Sequence, residues 1–104
     1  MNSKLLILFL LPLSMWAQGI DVSGNVISDD DQMPLPGVSI QVEGTNEGVI
    51  TDFDGNYIIE NIDPQATLVY NYLGFQTKRV AVNNQTNIDV SLIVDDHQID
   101  DIVV

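Results

Sequence analysis

The densest group of side chains able to do chemistry is Asp52-Phe53-Asp54-Gly55-Asn56-Tyr57, where two carboxylates alternate ahead of a glycine. A twelve-residue calcium loop wraps its ion in this way, with the glycine at the sixth position making the sharp turn. The register excludes it: with Gly55 sixth, Ile50 stands first and Asn61 twelfth, so the leading carboxylate and the bidentate glutamate are both missing. Asp54-Gly55 between two apolar-bearing segments is instead a strong hairpin signal, because both residues tolerate positive φ. A side chain at Gly55 should therefore harm the fold far more than one at Gly19. Asp29-Asp30-Asp31 reads in the same spirit as a solvated loop. No metal and no cofactor are expected.

Catalysis finds no foothold either. His97 is the sole histidine, it stands beside Asp95 and Asp96, and no Gly-x-Ser-x-Gly nucleophile motif is present to pair with it. Cysteine is absent, which removes thiolate nucleophiles, thiolate metal sites, disulfides and a lipid-anchoring cysteine. Paired carboxylates of the glycosidase kind need a cleft, and a domain of 104 residues that is mostly sheet offers a shallow surface. The chain is not expected to be an enzyme. Asn84-Gln85-Thr86 matches a glycosylation sequon but lies in a run of turn formers and is read as a turn. Fifteen acidic residues against three basic ones give a net charge of -12, so nucleic acid and anionic lipid would be repelled.

The elements that must position these residues are short strands. Val38, Ile40 and Val42 alternate with Ser39, Gln41 and Glu43, and the same period of two returns in Ile88, Val90, Leu92 and Val94. Looser versions occur in Ile20, Val22, Val26 and in Leu68, Tyr70, Tyr72. Turn formers punctuate these runs every 8 to 12 residues, at 29–36, 44–48, 52–56, 61–65, 74 and 83–85, which predicts an all-β sandwich. Seven strands are expected, roughly at 20–28, 37–43, 48–51, 56–60, 67–73, 76–82 and 87–94. The expected core is Val38, Ile40, Val42, Tyr57, Ile59, Leu68, Tyr70, Val80, Val82, Val90 and Leu92.

Two segments flank this sandwich of residues 20–94. Lys4 followed by the apolar run Leu5 to Leu13, too short to span a bilayer, reads as a cleaved signal peptide over 1–17, with cleavage after Gly19 also possible. Its removal takes away Lys4 and leaves 15 acidic against 2 basic groups, a net of -13. At the other end, residues 95–104 form an acidic linker and then Ile99, Asp100, Asp101, Ile102, Val103 and Val104. Their β-branched character suits a peptide that adds as a strand to an open sheet edge on a partner; an eighth strand or a frayed tail is the alternative.

Pro34-Leu35-Pro36-Gly37-Val38, Gly44-Thr45, Gly48, Thr51-Asp52-Phe53-Asp54-Gly55-Asn56-Tyr57 and Tyr72-Leu73-Gly74-Phe75 together resemble the carboxypeptidase-D regulatory-like domain. The resemblance implies a transthyretin-like, seven-stranded, Ig-like sandwich without catalytic residues. With Ile99 to Val104 following, the chain is more particularly similar to the N-terminal extension of TonB-dependent outer-membrane receptors of the starch-utilisation type. There the acidic-valine stretch is the TonB box, which pairs with the TonB C-terminal domain so that its pull opens a plugged barrel. The resemblance thus implies an exported module at the periplasmic face of the outer membrane, partnered by TonB and by the plug and barrel of a parent receptor. It is not itself membrane-spanning, since 104 residues cannot hold a large barrel. A fragment of a longer receptor chain is the favoured expectation. The alternative is a stand-alone exported β-sandwich that binds carbohydrate or assists adhesion through Tyr57, Tyr70, Tyr72 and Phe75.

Overall fold

The computed structural model describes residues 19–95, and these form two packed sheets with no helix. The strands are β1 (Ile20–Ser28), β2 (Ser39–Val42), β3 (Gly48–Ile50), β4 (Asn56–Ile62), β5 (Thr67–Asn71), β6 (Lys78–Ala81) and β7 (Val90–Leu92). One sheet has the order β4-β1-β7 and the other β3-β2-β5-β6. All pairings are antiparallel except β1 with β7, which run parallel from Val26↔Val90 to Ser28↔Leu92. The fold is the all-β sandwich that the period-two patterning predicts.

Alternation carries the core. On β2, Ile40 and Val42 are buried while Ser39 and Gln41 are exposed, and across the sheet Leu68 and Tyr70 of β5 point inward beside them. Each such side chain is worth about 2–5 kcal/mol against alanine. The sequence-derived core is buried except for Val80, which is half-buried because β6 is an edge strand. Val22, Val26, Ile62 and Ile88 complete it.

Two departures from simple alternation matter. On β4, Ile59 pairs with Val22 but Ile62 with Ile20, so β4 holds one extra residue, a bulge that turns Ile62 back toward the core. Asn61 adopts a φ of 57° there, and its N–H is accepted by the Asp21 carboxylate at 3.0 Å. The strand therefore runs on to Ile62, past the Asn61 turn that the sequence suggested. The second departure corrects the hairpin. The Asp52–Gly55 turn closes with Gly55 N donating to Asp52 O at 3.0 Å and Asp52 N to Asn56 O at 2.9 Å, as in a hairpin loop. Yet β3 and β4 belong to different sheets, so the turn is a corner between sheets.

Candidate functional site

Thr51 shows why the segments carrying the resemblance travel together. It is buried, its hydroxyl donates to Leu35 O at 2.6 Å and accepts Val38 N at 2.9 Å, and its backbone bonds Val38 O and Gly37 N. Beside it, Asp52 Oδ1 accepts the backbone N–H of both Asp54 and Asn56 at 2.9 Å, so this carboxylate is a turn cap. Gly55 has a φ of 79°, its carbonyl accepts Val26 N, and a Cβ there would stand 2.5 Å from Val26 O. Pro34 to Val38, the corner and β1 thus interlock at one end of the sandwich.

Between the sheets, the Tyr57 hydroxyl donates to Ile88 O at 2.7 Å and lies 2.7 Å from the Tyr70 hydroxyl. Since Tyr57 has one hydroxyl proton and Ile88 O takes it, Tyr70 is the donor in the second bond. The rings meet edge to face with centroids 5.8 Å apart. Burial pushes both phenols above their ordinary pKa, and for Tyr70 the bond that it donates to Tyr57 raises it further. Gly24 lets the backbones close over this pair: a Cβ on it would fall 1.8 Å from Ile88 O. Both hydroxyls are taken up in this network, and Tyr57 also contributes to the lining of the neighbouring groove.

An open groove of about 600 Å³ runs from β3 over β4 to β1 and the 87–89 segment, lined among others by Asn25, Ile50, Asp52, Asn56, Ile58 and Asp89. Asn25 ties its floor together, with its N–H on Asp89 Oδ1 and its side-chain amide on Asp54 O and Asn56 Oδ1. Ile50 is 67% and Ile58 56% exposed, and Phe53 at the corner is 91% exposed. Sequence reasoning did not single these three out, although Ile50 and Ile58 stand out of phase with their inward neighbours Val49, Tyr57 and Ile59.

On the opposite side the chain leaves the sandwich. Gln76 N donates to Ile93 O at 2.8 Å and Asp95 N to Gly74 O at 2.9 Å, with Phe75 bridging Val94. Tyr72 and Phe75 stack on each other with centroids 5.6 Å apart, and Leu73 stands exposed at this exit. The partner-binding candidates Ile99, Asp100, Asp101, Ile102, Val103 and Val104 lie outside the described residues, as do His97 and the signal-peptide segment. Asn84 lies in the turn expected of it: Asn83 and Asn84 both have positive φ, and Gln85 N bonds Val82 O. No helix among the described residues is long and apolar enough to cross a membrane.

Comparison with known proteins follows the same lines. The chain is 50% identical over 97% of its length to TonB-dependent receptor P3 of Formosa agariphila, covering 10% of that protein. It is 34% identical over 90% of its length to TonB-dependent receptor SusC of Bacteroides thetaiotaomicron, covering 9% of it. The chain therefore spans about a tenth of the length of these relatives. Among solved structures, a type II cohesin–X-dockerin complex from Acetivibrio cellulolyticus matches with a TM-score of 0.58 at 20% identity. That match covers 72% of this chain and 56% of the other, and speaks for the fold alone. The sequence profile of the CarboxypepD_reg-like domain matches residues 22–104, and the chain belongs to that family.

Proposed function

We propose that the chain is the N-terminal periplasmic extension of a TonB-dependent outer-membrane receptor for nutrient uptake, acting as a protein-interaction module without catalysis. The observation that carries this reading is the match of nearly the whole chain to a tenth of such receptors. In this reading residues 1–17 (or 1–19) are the export signal, 20–94 the sandwich, and 95–104 the linker and TonB box, with plug and barrel beyond. The exit geometry supports it. The bonds from Gln76 to Ile93 and from Asp95 to Gly74 hold the last described residues against the sandwich, giving the following segment a fixed point of departure. Of the aromatic residues that favoured carbohydrate binding, Tyr57 and Tyr70 are buried and Tyr72 and Phe75 pack on each other half-buried, which weighs against that alternative.

Titrating the full chain against the TonB C-terminal domain tests the reading. Affinity from main-chain hydrogen bonds predicts that Ile102→Pro or Val103→Pro weakens binding by about tenfold or more, while alanine at the same positions costs less. Unchanged binding of the proline variants would remove the box assignment.

A further inference from the structure

We infer that the free edge of β4, beside the groove, is a strand-addition site for an extended peptide in which apolar residues alternate with lysine or arginine. The argument starts from the backbone. Ser23 N donates to Thr86 O and Ser23 O accepts Ile88 N, so Ser23 turns its hydrogen-bonding groups toward the β7 side. Its antiparallel partner Ile58 must then point its own N–H and C=O away from β1, out of the sheet. On the facing edge, Thr51 N bonds Val38 O and Thr51 O accepts Gly37 N, so Thr51 is turned toward the chain ahead of β2. Alternation then turns the backbone groups of Gly48 and Ile50 outward. Ile50 and Ile58, both well exposed, line the same groove. The groove runs from Ile50 over β4 and β1 to Asp89, and at its rim the free edge of β4 offers the Ile58 main-chain groups beside the exposed Ile58 side chain.

Charge selects the occupant. Asp52 and Asp89 line the trough, and Asp54, Glu47 and Glu60 are exposed on the neighbouring corner and strands. Among the described residues the only basic groups, Lys78 and Arg79, lie on β6, an edge on the far side, where Arg79 already meets Glu43 at 3.5 Å. A second copy of this acidic chain would be repelled, whereas a strand with cationic side chains would meet complementary charge. The inference goes beyond the proposed TonB contact and does not depend on it, because that contact uses the far end of the chain.

The test uses the full chain and an octapeptide of alternating valine and lysine, followed by amide exchange and chemical shifts. The expected result is slowed exchange at the Ile58 amide, with an alternating valine–glutamate peptide binding at least about tenfold more weakly. Because the N–H groups of a strand alternate sides, N-methylation along one edge of the peptide should abolish binding and along the other should spare it. Ile58→Lys, an exposed substitution that leaves the backbone intact, should weaken the lysine peptide and spare the fold. An unprotected Ile58 amide, equal binding of the glutamate peptide, equal effects of the two methylation patterns, or full binding by the lysine variant would each overturn the assignment.

Discussion

The two long sides of the sandwich are finished in opposite ways. On the β6/β7 side, residues 74–76 and 93–95 pair across the gap between sheets, and β6 carries Lys78 and Arg79. Paired backbone and edge cations are two of the ways in which sheet proteins discourage further strands. On the β3/β4 side the sheets are joined by the Asp52–Gly55 corner, and the edge beyond it exposes Ile50 and Ile58. The difference teaches that openness here is local. The groove stands on backbone interlocked at the corner and at Gly24, so the scaffold under the open side is as tightly built as the strapped side.

The largest expected effect comes from breaking what both sides share. Gly24 lies on β1, the strand that pairs with β4 on the open side and β7 on the strapped side. A Cβ at that position would overlap Ile88 O at 1.8 Å and Ile88 C at 2.7 Å, both backbone atoms that cannot swing aside as a flexible side chain could. Gly24→Ala should cost about 3 kcal/mol or more, at the upper end for overpacking. The urea midpoint of the purified chain checks it, and a wild-type midpoint would mean that β1 and the 86–88 segment are not so close.

A smaller effect separates the corner from a free turn. Gly55 and Gly44 both have positive φ, 79° and 84°, so alanine pays the left-handed penalty of about 1–2 kcal/mol at each. Only Gly55 is also crowded, by Val26 O at 2.5 Å, while nothing lies within 4 Å of a Cβ at Gly44. Gly55→Ala should therefore exceed Gly44→Ala by about 1 kcal/mol or more in paired urea titrations. Gly19, the comparison that the sequence suggested, is a poor one, since a Cβ there would stand 2.6 Å from Asn61 Oδ1 and 2.9 Å from Ile62 O.

What was legible in the sequence follows the range of the forces involved. Strand positions came from a period of two, which is a local signal, and the Asp54-Gly55 turn from the φ tolerance of those residues. Which sheet each strand joins depends on partners far away: β1 meets β7 in parallel, and the corner separates β3 from β4, with no local mark of either. The bulge at Asn61 was hidden because an extra residue breaks the alternation that identifies a strand, and Asn61 itself is a turn former. Ile88 is buried without belonging to a strand because the Asp89 carboxylate takes the Asn25 N–H, replacing a ladder bond. The groove was not legible at all, since exposed isoleucines on strands carry no signal until the free edges are known. The reading of Ile99 to Val104 rests on their β-branched pattern and on resemblance, those residues being outside the described ones.

The smallest predicted effect tests the tie that runs between the two sides. Tyr57, on the edge strand β4, reaches Ile88 ahead of β7, and Tyr70 of the second sheet donates to it, so three segments meet at two hydroxyls. Tyr70→Phe removes one bond and leaves Tyr57 still donating to Ile88 O, a loss of about 1 kcal/mol. Tyr57→Phe strips Ile88 O of this donor and Tyr70 of its acceptor, and should cost about 1–3 kcal/mol. Alkali applies the same test without mutation. Burial raises both phenols in the folded chain above the unfolded value near pH 10, so the folded state holds these protons where the unfolded state has released them. Their contribution is fully present below about pH 10 and is lost as pH rises beyond it through the folded values. Thermal melts should hold steady from neutral pH to about pH 9 as far as these phenols are concerned, then fall, and the fall should be shallower in a chain carrying both phenylalanines. An equally steep alkaline fall in that double variant would show that the hydroxyl tie is not what holds the open edge to the strapped side.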